Sequence, residues 1–174
     1  NVEVNDCVRN EWLGCLHTGG TPVGMAWHPI RNRLYVAAGK FTIFDCVSDT
    51  AVFVTRWHSD SGALCMLLEH NKVYYACEDT IWLVDIVSES MVGHFTIRGM
   101  PFWMAFDPTR DRAYCIAEAG WRDSVFVLDP VRDSVLYSFP VQCSSGERPG
   151  PVCLNTQLNR LYTGCGYEVN MYDC

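Results

Sequence analysis

The sequence predicts an all-β fold, a β-propeller made of four repeats that are each a four-stranded antiparallel blade. Three observations carry this. A thirteen-residue pattern recurs four times without a gap. Each copy is followed by a short run of alternating apolar residues that closes on Asp. The 174 residues are 49% apolar and 13% aromatic, which is enough for a packed core and unlike a disordered chain.

The copies of the pattern are Ala26–Ala38, Cys65–Cys77, Ala105–Ala117 and Cys153–Cys165. Each has a small residue, a polar turn with Asn or Asp, a basic residue, then an apolar residue and a tyrosine. Those tyrosines are Tyr35, Tyr74, Tyr114 and Tyr162. This is a hairpin of strands A and B. Strand C follows and ends at Asp45, Asp85, Asp129 and Asp173. After the first three comes a polar turn and an apolar strand D. An Asp at the head of a tight turn accepts N–H bonds from the next residues, so these carboxylates read as turn formers and not as calcium ligands. The N-terminal segment enters the repeat part-way: Val2–Cys7 matches strand C and Glu11–His17 strand D. The blades therefore span about residues 22–58, 62–98, 101–142, and 149–174 with 1–18, in one domain covering 1–174.

Pro22-Val23-Gly24-Met25-Ala26-Trp27-His28-Pro29, Arg33-Leu34-Tyr35-Val36 and Ile43-Phe44-Asp45 resemble the YVTN-type propeller repeat, a family with WD40-like blades. Pro101-Phe102-Trp103-Met104-Ala105-Phe106-Asp107-Pro108 is a second good copy. The other two lack the proline after strand A. The resemblance implies a propeller, and relatives of this type commonly close about seven blades; it implies no particular activity. Four repeats leave three arrangements open. The ring closes within one chain; the N-terminal strands complete the last blade of a neighbouring chain; or the 174 residues are part of a larger propeller.

Ten cysteines without a CxxC pair point to disulfides and an oxidising compartment, not to zinc or thioredoxin-type chemistry. Asn1-Val2-Glu3-Val4 has neither a basic start nor a long apolar stretch, so the chain reads as a mature secreted protein. Positions 65 and 77 are both Cys, as are 153 and 165, while 26/38 and 105/117 are both Ala. A hairpin turning near residue 71 would set 65 opposite 77, within disulfide reach. The expected bridges are Cys65–Cys77 and Cys153–Cys165, against the alternative of a shared demand for small residues. Cys7 and Cys174 hold the same repeat position and are expected to latch the seam, within or between chains. Pairing of Cys15, Cys46, Cys115 and Cys143 stays open.

The five histidines have no metal-ligand spacing, and no nucleophile elbow, phosphate loop or dinucleotide fingerprint occurs. His28 stands where the third repeat has Asp107, which makes it a turn residue. The expectation is a non-enzyme without cofactor or metal. A net charge of −7 with no basic run argues against nucleic acid, and no apolar run is long enough to span a bilayer as a helix. The six tryptophans are expected to pack between blades, with Trp103 and Trp121 as possible ligand-stacking residues beside the insertion Glu118–Asp123. The expected function is an extracellular structural protein whose partners are copies of itself. Terminal strands and disulfides would join them head to tail, into a ring or a filament. The alternative is a secreted propeller that binds a glycan or a protein.

Overall fold

The computed structural model describes residues 1–55, 62–119, 122–143 and 149–174. A hairpin of β1 (Val2–Asp6) and β2 (Glu11–Leu16) comes first. Blade one is β3 (Gly24–His28), β4 (Arg33–Ala38), β5 (Lys40–Asp45) and β6 (Thr50–Val54). Blade two is β7 (Leu64–Leu67), β8 (Lys72–Cys77), β9 (Thr80–Asp85) and β10 (Ser90–Thr96). Blade three is β11 (Met100–Asp107), β12 (Arg112–Ala119), β13 (Arg122–Asp129) and β14 (Ser134–Pro140). Blade four has β15 (Pro149–Asn155), β16 (Arg160–Cys165) and β17 (Glu168–Asp173). Every pairing is antiparallel between consecutive strands, so blades one to three run A-B-C-D as the repeat predicts, and blade four runs A-B-C.

The blades stand face to face. In blades one to three strands B and C are buried almost throughout, as in β4, β8 and β13, while strands D such as β6 stay largely exposed. A strand points alternate residues to opposite faces, and here each face meets a different neighbour. In β5, Phe41 and Ile43 pack with Val84 and Ile86 of blade two, whereas Phe44 packs with Val2, Val4 and Leu16 of the hairpin. In β9, Ile81 and Leu83 pack with Phe126 and Leu128 of blade three. Val125 and Val127 pack with Leu161, Tyr172 and Cys174 of blade four. Among the described residues no apolar cluster joins blade four to the N-terminal hairpin. Nor do β1 and β2 add to blade four within the chain: they form their own two-stranded sheet.

The strand-ending aspartates form turns. Asp45 accepts N–H bonds from Val47 and Ser48 at 2.8 and 3.1 Å, and Asp129 from Val131 and Arg132 at 2.9 and 3.1 Å. Asp6 does the same for Val8 and Arg9. Four residues after each, the chain takes a left-handed conformation, at Asn10, Asp49, Glu89 and Asp133. His28 is a turn residue too, its Nδ1 accepting the N–H of Arg31 at 3.2 Å.

The cysteines depart from expectation. Cys65 lies opposite Tyr74, three residues before Cys77, so the hairpin centre falls nearer the N-terminus than residue 71, in the register that the first and third repeats share. An odd shift moves a side chain to the other face of the sheet. Cys65 therefore packs toward blade three and Cys77 toward blade one, and both are free. The fourth repeat shifts identically: Cys153 lies opposite Tyr162 and is exposed and free. Cys165 bonds instead to Cys143, at a Cα–Cα distance of 5.6 Å, which staples the end of blade three to blade four. Cys7 and Cys174 are unbonded in the chain, since Cys7 lies in the hairpin turn and Cys174 in the junction of blades three and four.

Two outcomes follow for the thiols. Alkylation in denaturant without reductant should spare only Cys143 and Cys165, and protection of Cys65 with Cys77 instead would contradict this register. Cys143→Ser opens a loop of 22 residues and should lower unfolding free energy by about 3 kcal/mol.

Candidate functional site

The polar features of the repeat converge at the junctions between blades. In blades one and two the basic residue that opens strand B reaches across to the next blade's C–D turn, joined in blade two by the tyrosine. Lys72 donates to Asp133 Oδ2 at 2.7 Å and to the Pro130 carbonyl at 3.1 Å. Tyr74 donates its hydroxyl to Asp133 Oδ1 at 2.7 Å. One junction earlier, Arg33 donates to Glu89 Oε1 at 2.7 Å, and Arg31 bonds the carbonyls of Ile86 and Val87. The acceptor is in both cases the left-handed residue four after the strand-ending Asp. At the third junction Tyr114 lies against the Cys174 thiol. His70 adds a cross-blade contact to Asp111. The tyrosines were visible in the sequence, but their reach was not. The signal that could have shown it is the acid recurring at positions 49, 89 and 133.

Burial pushes the Tyr35 hydroxyl up to about 12, with Glu89 adding to it, and raises Tyr74 further, aided by its bond to Asp133. Both stay neutral at any physiological pH, and Tyr74 remains the donor to Asp133. The turn carboxylates move the other way. Backbone N–H bonds from Val47 and Ser48 hold Asp45 below its usual value, and bonds from the Ser88 backbone and hydroxyl do so for Asp85. At Asp129 burial disfavours the charge, but the N–H groups of Arg132 and Val131 and the Arg132 guanidinium outweigh it. Desolvation pushes Cys65 up to about 12 and raises Cys115 as well, so these thiols are inert core groups.

Two sheet faces have no neighbour among the described residues. On blade four, Val169 is 71% exposed and Met171 54%, while their counterparts Phe41/Ile43, Ile81/Leu83 and Val125/Val127 are buried. Tyr162 lies beside Met171 and Cys153 in one row of the same face. Arg160, at the clasp position, meets Asp173 of its own blade at 3.9 Å and no carboxylate of another blade among the described residues. On the hairpin the outward face carries Glu3, Asn5 and Cys15, all exposed, and Trp12, 64% exposed. Trp12 and Trp27, 64% and 57% exposed, are thus surface residues and not the interblade packing expected of them. Trp82 does sit in a junction and packs on His94 at 4.9 Å.

Trp103 lines a groove of about 350 Å³ along the first strands of blades one to three, with Val23, Met25, Leu64, Phe102 and Met104. Every lining residue is apolar or glycine. Gly24 sets its floor: a Cβ there would meet the Gly62 carbonyl at 3.0 Å and Leu64 Cβ at 3.2 Å. Trp121 and Trp57 lie outside the described residues.

This succession of blades is a β-propeller, and solved propellers resemble it. A chain of the Mitotic Checkpoint Complex superposes with a TM-score of 0.74 at 14% identity, over 95% of this chain and 53% of that one. Hydrazine synthase of Kuenenia stuttgartiensis gives 0.73 at 16%, over 88% and 46%, and the RRP9 WD40 repeats give 0.71 at 13%, over 88% and 48%. This chain spans about half the length of these structures. No family model and no curated protein matches the sequence.

The lowered turn carboxylates set an acid limit. The unfolded chain binds protons at these groups that the folded chain does not, so their stabilisation is present above about pH 4 and is lost as pH falls further. The melting temperature should fall between about pH 4 and 2, and less steeply in Asp129→Asn; an unchanged melt down to pH 2 would contradict this.

Proposed function

We propose that the chain is an extracellular, non-catalytic structural propeller of the YVTN type that assembles with copies of itself through its uncovered blade faces. The observation that carries this reading is the outward face of blade four. It presents Val169, Met171 and Tyr162 where three other blades bury the equivalent residues against a neighbour. Contiguous exposed apolar side chains on a soluble protein mark interaction sites. The ten cysteines and the bridge between blades three and four support an oxidising setting. The proline-bounded copies around residues 22–45 and 101–129 support the finer repeat type.

A second reading has its own observation. The groove at Trp103 is of small-ligand size. Its apolar lining fits an apolar side chain of a bound protein better than a glycan, which needs polar partners beside the stacking ring. Trp103 fluorescence should then respond to such a peptide and not to sugars.

Sedimentation velocity tests the main reading. The wild-type chain should show species larger than a monomer that grow with concentration, and Met171→Asp should return it to monomer. A wild-type monomer at all concentrations would overturn self-assembly and leave the face to blades outside residues 1–174.

A further inference from the structure

We propose that the partner of the blade-four face is the N-terminal hairpin of a second copy, docked as one more instance of the blade junction; this rests on the self-assembly reading above. Three junctions within the chain define the apolar residues each side must bring, and two of them define the clasp. The receiving face brings the first and third residues of strand C and the basic–apolar–Tyr start of strand B. In blade four these are Val169, Met171, Arg160 and Tyr162. The arriving face brings the second and fourth residues of strand C, the residue after the strand-ending Asp, and the left-handed turn residue. In the hairpin these are Glu3, Asn5, Cys7 and Asn10, all exposed.

The apolar anchor is Trp12. It lies opposite Asn5 in its sheet, as Met91 lies opposite Val84 in blade two. Met91 packs into the junction with blade one, whose receiving residues are Phe41 and Ile43. Trp12 therefore arrives over Val169 and Met171, an aromatic ring on an aliphatic and a thioether surface. The clasp is supplied as well. Asn10 has φ 62° and closes its turn through an N–H bond to the Asp6 carbonyl, in the geometry that presents Glu89 and Asp133. Its amide oxygen takes the place of their carboxylates as acceptor for Arg160 and Tyr162. The arriving face carries Glu3 and Asn5 where inner junctions carry Trp82 and Val84 or Phe126 and Leu128. That polarity suits a contact between molecules that also exist apart.

A head-to-tail contact uses two different surfaces, so each can be blocked alone. Trp12→Asp blocks the arriving face and Met171→Asp the receiving face. Both side chains are solvent-exposed, and circular dichroism melts equal to wild type verify the fold. Each variant alone should sediment as monomer. Mixed in equal amounts they should form a species of twice the chain mass and nothing larger, since one competent face remains on each. Asn10→Asp in the wild-type background restores the carboxylate of the inner clasps and should tighten association by about tenfold, in the range of a charge-assisted bond. If wild type associates and Trp12→Asp associates equally well, the hairpin is not the partner. If wild type itself stays monomeric, the underlying reading fails instead.

Discussion

A blade of this chain is a sheet with two apolar faces, and it can bury both only between two other blades. Everything else in the molecule follows from that constraint. Strands B and C become nearly continuous apolar runs because alternate residues serve opposite neighbours. Tyr35, Tyr74 and Tyr114, all buried, fill the same place in three successive junctions. Strand D stays largely exposed although much of it is apolar. The constraint also explains why the two outermost faces look unlike the rest of the surface. They are junction faces without their second half.

The polar clasp adds register to this burial. Apolar packing alone does not fix how one sheet sits on the next. A charged group reaching a turn residue of the next blade does, because a buried or half-buried charge left unpaired is costly. Lys72, Tyr74 and Asp133 form one such set and Arg33 with Glu89 another. The turn has two jobs in this arrangement. Its Asp fixes the local backbone, and the left-handed residue that follows points its side chain at the previous blade. The bridge from Cys143 to Cys165 ties a third junction covalently.

Much of this was legible in the sequence. Strand order, blade number and the turn role of the aspartates follow from period-two patterning and from the repeat. The cysteine pairing was not legible. Joint Cys/Cys or Ala/Ala choices at 65/77 and 153/165 look like partners across a hairpin. They are small residues needed in separate places, and the register, the same in all four repeats, sets the first of each pair opposite the tyrosine. Cys143 lies outside the aligned pattern, so its link to Cys165 left no trace there. Trp12 and Trp27 misled for the same reason as any bulky apolar residue: identity does not tell which face of a sheet is covered. Trp103 reads better, since its place on strand A puts it in the groove.

Native-state hydrogen exchange followed against protein concentration tests the central claim, that each face is stable only when another blade covers it. The account predicts the slowest exchange in β8 and β12, which have blades on both sides, at every concentration. It predicts fast exchange in β1, β2, β16 and β17 when the protein is dilute, with protection rising there alone as concentration increases. Equal protection across all sheets, unchanged by dilution, would contradict it.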